Sequence, residues 1–130
     1  MFALDTNSLI YFFKGQGRVA ERLLATPPSE IGIPAIVLYE LEVGIAKSSS
    51  PKKRRTQLSE MVDLVNLLPF GQAEARATAA LRAALEKRGK PIGPIDTLIA
   101  GTAVANNALL VTHNTSEFSR VSGLKVVDWY

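Results

Sequence analysis

Three acidic residues, Asp5, Glu40 and Asp96, sit in or beside apolar runs that lie far apart in the chain. Asp5 ends Phe2-Ala3-Leu4, Glu40 interrupts Ile36-Val37-Leu38-Tyr39, and Asp96 precedes Thr97-Leu98-Ile99-Ala100. Carboxylates placed among apolar side chains are costly unless something pairs with them. In an open α/β fold, strand ends and helix starts from distant segments meet in one crevice. Three carboxylates brought there without a basic partner repel one another, and a divalent cation relieves the repulsion. Mg²⁺ and Mn²⁺ prefer oxygen donors. The acids therefore predict a metal site suited to phosphate chemistry.

Each acid also has a plain structural role open to it. Asp5 suits the N-cap of a following helix, and Asp96 suits a first helical turn, where the dipole favours negative charge. Glu40 and Glu42 are two apart on a predicted helix, so they point to nearly opposite sides and only one can face a crevice. Gly44, one turn after Glu40 on the same face, lowers helix stability by roughly 1 kcal/mol relative to alanine. That choice makes sense where something approaches closely, so Glu40 is taken as the inward acid and Glu42 as solvated. Thr6, Asn7 and Ser8 can hold a water, orient Asp5 or cap a helix. Thr112, His113 and Asn114 follow a β-rich run and should reach the same edge. Thr112 and Asn114 suit a metal-bound water. His113 is the only histidine, too few nitrogen ligands for zinc.

Alternating elements must position these groups. A strand over Phe2–Asp5 precedes a helix beginning after the capping stretch Asp5–Ser8, and a second helical piece covers Val19–Ala25 before Pro27-Pro28. Ile31–Ile33 is a short strand. Helices follow over Ala35–Lys47, 52 to about 66, and the alanine-rich Gln72–Arg88, with a brief strand at Leu67-Leu68. Gly89 is placed to end the third of these. A helix over Asp96–Asn107, a strand over Ala108–Thr112, a polar loop over His113–Phe118 and a strand over Leu124–Trp129 complete the pattern. Strands alternating with helices predict a parallel sheet covered on both faces.

The chain has 130 residues, 47% of them hydrophobic, enough to build one domain around a sizeable core. No apolar stretch approaches the roughly 18 residues of a membrane span, and the opening residues carry no secretory signal pattern. The absence of cysteine excludes disulfides and zinc–thiolate sites and fits the cytoplasm. A net charge of +3 permits a nucleic-acid partner without requiring one.

With these residues in place, the chain resembles the PIN-domain ribonucleases of the VapC toxin type over nearly its full length. The resemblance is carried by Leu4-Asp5-Thr6-Asn7, Tyr39-Glu40-Leu41-Glu42-Val43-Gly44, Gly93-Pro94-Ile95-Asp96-Thr97-Leu98-Ile99-Ala100 and Leu110-Val111-Thr112-His113-Asn114-Thr115-Ser116-Glu117-Phe118. It implies a three-layer α/β/α sandwich with a parallel sheet of four or five strands. It also implies an acidic pocket for Mg²⁺ or Mn²⁺, endonucleolytic RNA cleavage, and inhibition by a cognate antitoxin of the VapB type that carries the complex to promoter DNA. Asp5, Glu40 and Asp96 match the family's three core acids. Asn114 matches its fourth acidic position, with Glu117 ranked below it.

Lys14, Arg54, Arg55 and Lys90 are candidates for holding the RNA backbone, and Tyr11, Phe12, Leu23 and Leu24 for a partner groove. A homodimer is expected, with Ala73, Ala77, Ala80 and Ala84 as a close-packing surface. Two other readings stay open. One is an aspartyl-phosphate phosphatase or receiver-like domain, although Asn7 stands where such phosphatases usually carry a second acid. The other is a non-catalytic partner acting on DNA.

Overall fold

A computed structural model describes residues 1–130. Five parallel strands, β1 Phe2–Leu4, β2 Ile31–Pro34, β3 Asn66–Leu68, β4 Leu109–Val111 and β5 Val126–Val127, form one sheet in the order β3-β2-β1-β4-β5. Phe2 lies opposite Ile31 on one side and Leu109 on the other, so β1 is central. Consecutive residues Ala3 and Leu4, Ile31 to Ile33, and Leu110 and Val111 are all buried. Side chains alternate between faces along a strand, so both faces of the sheet are covered. The helices that cover them are α1 Thr6–Lys14, α2 Val19–Leu24, α3 Ala35–Ala46, α4 Pro51–Leu64, α5 Gln72–Lys87, α6 Pro94–Ala105 and α7 Thr115–Phe118. No helix is long and apolar enough to cross a membrane.

Local chemistry sets the boundaries. Asp5 caps α1, accepting the Ser8 N–H at 2.9 Å, so the helix starts at Thr6, inside the capping stretch rather than after it. Gly15, at φ +66°, ends it in the left-handed conformation. Pro51 and Pro94 open α4 and α6, because a proline at the first helical position gives up no hydrogen bond. Starting α6 at Pro94 puts Asp96 in its first turn. Residues 115–118, expected as loop, are a single turn of helix, and β5 is shorter than expected.

The tightest packing joins α5 to α6. Glu74, Thr78 and Leu85 form the buried face of α5. Gly101 lets Thr78 in: a Cβ at Gly101 would stand 1.7 Å from Thr78 Oγ1 and 2.8 Å from its Cα. The alanine surface lies one residue out of phase with this buried face. Ala73, Ala80 and Ala84 are exposed, and Ala77 is half-buried. Because α6 is pinned on this side, its first turn is held firmly over the sheet edge.

Candidate metal-binding acidic crevice

The chain winds outward from β1 through β2 to β3, then returns to the other side of β1 for β4 and β5. Strand order reverses at β1 and β4, and a crevice opens beyond their carboxyl ends. Asp5 leaves β1 there. Its backbone N–H bonds the Val111 carbonyl at 3.1 Å, which continues the sheet one step further. The Asp5 side chain is buried, accepts the Ser8 N–H and is hydrogen-bonded by Thr112. Ser8 Oγ donates to the Val111 carbonyl at 3.1 Å, tying the start of α1 to the end of β4. Burial raises the Asp5 pKa above its ordinary value, the bonds from Thr112 and Ser8 oppose that rise, and the charge of Glu40 adds to it.

Glu40 enters from α3, half-buried, and accepts a hydrogen bond from Thr6 Oγ1 at 2.5 Å. Glu42 points away, exposed, with Arg55 at 3.9 Å. Gly44 adds no bulk beside Glu40: nothing lies within 4 Å of where its Cβ would be. A cleft of about 230 Å³ opens there, bounded by Glu40, Gly44, Lys14 and Arg54 over apolar walls that include Phe13 and Leu58.

Asp96 enters from the first turn of α6 and meets Glu117 from α7. Burial, then the hydrogen bond and charge of Glu117, then the charges of Asp5 and Glu40, push the Asp96 pKa up to about 7. Glu117 is held below its ordinary value, first by the hydrogen bond from Asp96 and then, against the opposing effect of burial, by the Gly93 N–H, Arg120 and Asn114. The Gly93 N–H reaches Glu117 Oε1 at 3.0 Å, and Asn114 Nδ2 reaches Oε2 at 2.6 Å. Of the pair, Asp96 is thus the weaker acid and Glu117 the stronger.

Of the groups singled out in the sequence, Asp5, Glu40, Asp96, Thr6, Thr112 and Glu117 face one another. Asn7 is exposed on the outside of α1. Asn114 is exposed and acts on Glu117 rather than on Asp5 or Asp96. The carboxylate sequence reasoning ranked lower is the one in contact with Asp96. Its signal was the three-residue spacing of Asn114 and Glu117, which a one-turn helix brings to the same side. The position two residues after Asp5, where an aspartyl-phosphate phosphatase carries its second acid, is Asn7 on the outside of α1, and no lysine is among the groups acting on Asp5.

All donors in the crevice are hard oxygens, and no salt bridge involves any of the four acids. This is the donor chemistry Mg²⁺ and Mn²⁺ take. In the present arrangement no three of the acids stand in metal-holding geometry. Burial and the neighbouring negative charges that raise the Asp96 pKa are what a bound cation would offset.

A second depression, about 440 Å³, runs between α1, α2 and α4 and is lined by Phe12, Leu23, Leu24, Met61, Leu64 and neighbours. Leu24 and Leu64 are 76% and 67% exposed. Tyr11 lies elsewhere, packed edge-on against Tyr130. Arg54 and Lys14 line the cleft by Glu40, while Arg55 pairs with Glu42 and Lys90 is exposed.

The family model described as "PIN domain" matches residues 2–124. The tRNA(fMet)-specific endonuclease VapC of Shigella flexneri is 34% identical over 128 residues, covering 98% of this chain and 97% of that protein. The fold superposes on DNA-bound VapBC from Salmonella typhimurium with a TM-score of 0.92 at 33% identity, covering 99% of this chain and 98% of that one. VapBC2 from Rickettsia felis, bound to a DNA fragment from its promoter, superposes with a TM-score of 0.91 at 32% identity, with the same coverage of each chain.

Proposed function

The chain belongs to the PIN-domain family, and from that premise we propose that it is a Mg²⁺- or Mn²⁺-dependent endoribonuclease, the toxin of a type II toxin–antitoxin pair. The observation that carries this is the meeting of buried Asp5 with half-buried Glu40, Asp96 and Glu117 at the strand-order reversal, with no salt bridge to any of them. Asp5, Asp96 and Glu40 would hold the metal, and Glu117 would take the fourth acidic role in preference to Asn114. A cation bound there would polarise the scissile phosphate and make a water nucleophilic near neutral pH.

The protein's own groups do the rest. Thr112 and the Ser8 N–H orient the Asp5 carboxylate, and Thr6 orients Glu40. Asn114 and the Gly93 N–H orient Glu117. Lys14 and Arg54, in the cleft beside Glu40, hold the RNA backbone, and binding falls with salt. Asp96, the weaker acid of the pair, would give up its proton to solvent on binding a cation.

The antitoxin covers the exposed apolar depression around Leu24 and Leu64, and promoter DNA is reached only through it. The protein itself pairs as a homodimer and works in the cytoplasm, where its substrate is found. Initiator tRNA is the first substrate to test, because two of the similar relatives are named for it. The deciding test adds Mn²⁺ or EDTA to purified protein with that RNA. Cleavage that requires the ion and is lost in Asp5→Asn supports the proposal, and equal cleavage in EDTA overturns it.

A further inference from the structure

One residue beyond Thr112, at the rim of the crevice, the rings of His113, Tyr130 and Tyr11 gather. His113 and Tyr130 stack with centroids 4.2 Å apart and planes 22° from parallel. Tyr11 meets Tyr130 edge-on at 4.8 Å and His113 edge-on at 6.0 Å. The stack is held from several sides. Asp128 Oδ2 lies 2.9 Å from His113 Nδ1, and its Oδ1 accepts the Tyr130 N–H at 2.9 Å, so one carboxylate fixes both rings. The Tyr130 carbonyl accepts the Arg18 N–H at 2.9 Å. Gly17, at φ +63°, lies directly against Tyr130: a Cβ there would come within 2.8 Å of the ring Cγ. Between the two outward residues, Trp129 turns inward and packs on Phe2 at 5.1 Å.

For all this support, the rings remain open to solvent. The His113 side chain is 46% exposed and Tyr130 is 43% exposed. Aromatic pairs mostly serve by burying their faces in a core. A rigid, oriented, half-exposed pair is instead a ready face for a flat π-system. Single-stranded RNA offers such faces, and its unpaired bases stack on Tyr and His side chains. The location suits an RNA bound in the crevice. His113 lies between Thr112, which bonds Asp5, and Asn114, which bonds Glu117.

We propose that the His113–Tyr130 stack is a nucleobase platform, on which an unpaired base next to the scissile phosphate extends the stack over His113. This rests on the ribonuclease reading and refines it: the substrate is an unpaired nucleotide in a loop or single strand, not a duplex. His113 touches the base, while Asp128 and Tyr130 are positioning residues that hold its ring. Every base has a π-face, so the platform tolerates sequence and selects for the unstacked state.

The test uses full-length protein carrying Asp5→Asn to stop cleavage, and single-stranded RNA oligomers with an abasic ribose at one position in turn. Binding is read by fluorescence anisotropy. One abasic position should weaken binding roughly tenfold or more. His113→Ala should weaken binding of the intact oligomer by the same factor and remove the penalty for that abasic position, and His113→Phe should restore most of both. A His113→Ala variant that keeps the full abasic penalty overturns the platform. So does one that binds RNA normally but loses the antitoxin, which would make the surface a protein contact. Parallel assays without Asp5→Asn separate the two ideas. If the parent cleaves RNA and His113→Ala changes nothing, only the platform fails; if the parent cleaves no RNA, the ribonuclease reading fails and the platform falls with it.

Discussion

Metal binding by this protein should be strongly linked to pH through the Asp96–Glu117 pair. Asp96 must lose its proton to act as a ligand, and burial, Glu117 and the charges of Asp5 and Glu40 hold its pKa at about 7 rather than the ordinary 3.8. The apparent affinity then scales with the ionised fraction, so it falls about tenfold for each pH unit well below 7. Between about pH 8 and about pH 6 the drop is about tenfold, and by about pH 5 it is about ninetyfold. A carboxyl with its ordinary pKa would change affinity by less than about a tenth over that range.

Titration calorimetry with Mn²⁺ in two buffers of different ionisation heat counts the protons released. About one proton per metal should leave near pH 6 and close to none near pH 8. Glu117→Gln removes the neighbouring charge, so proton release near pH 6 should diminish while affinity near pH 8 also weakens. The metal-free protein should show the opposite trend in stability. The folded-state pKa of Asp96 is raised, so its protonated form is favoured by folding. That contribution is complete below about 4 and is lost as pH rises through about 7. A melting temperature that climbs between those limits without metal, together with a pH-independent Mn²⁺ affinity, would refute the reasoning.

Four further outcomes follow from the geometry. Asp96→Asn should abolish cleavage yet raise the melting temperature of the metal-free protein above about pH 7, since it removes a crowded charge; thermal melts with and without Mn²⁺ read both effects. Asn114→Ala should reduce turnover less than Glu117→Gln, because Asn114 acts through Glu117; a larger loss at Asn114 under single-turnover conditions would restore it to the fourth position. Gly101→Ala should destabilise the fold by about 1–3 kcal/mol through the clash with Thr78, measured by urea unfolding. Leu24→Arg should leave RNA cleavage near the parent rate while preventing antitoxin inhibition, because Leu24 lies in the exposed apolar depression and outside the acidic crevice.

Much of this arrangement is legible in the residues alone, for physical reasons. Asp5, Glu40 and Asp96 stand out because charge among apolar neighbours needs a partner, and the alternation of elements brings them to one sheet edge. The ordering of Asn114 and Glu117 is a different matter. A helix of four residues is too short to show a period, so His113–Phe118 looks like loop, and the polar residue nearest the strand seems the natural candidate. The deciding contacts, the Gly93 N–H and Asp96 on Glu117, come from a segment more than twenty residues away. Tyr11 shows the same limit. Its apolar pattern suggests a partner groove, but it packs edge-on against His113 and Tyr130, which lie near the other end of the chain. The last strand is also shorter than its residues suggest: it pairs with β4 only at Val126 and Val127, and beyond them the Asp128 side chain bonds His113 and the Tyr130 N–H.

The central claim is that the four-acid crevice hydrolyses RNA with a bound divalent ion, and the chemistry of the cut ends tests it most directly. Purified protein is incubated with initiator tRNA and Mn²⁺, and the product termini are identified by mass spectrometry beside Asp5→Asn and EDTA controls. Attack by a metal-activated water breaks the bond from phosphorus to the 3′-oxygen, so the products should carry a 3′-hydroxyl and a 5′-phosphate, and neither control should yield product. Products ending in a 2′,3′-cyclic phosphate, formed equally in EDTA or by Asp5→Asn, would contradict it.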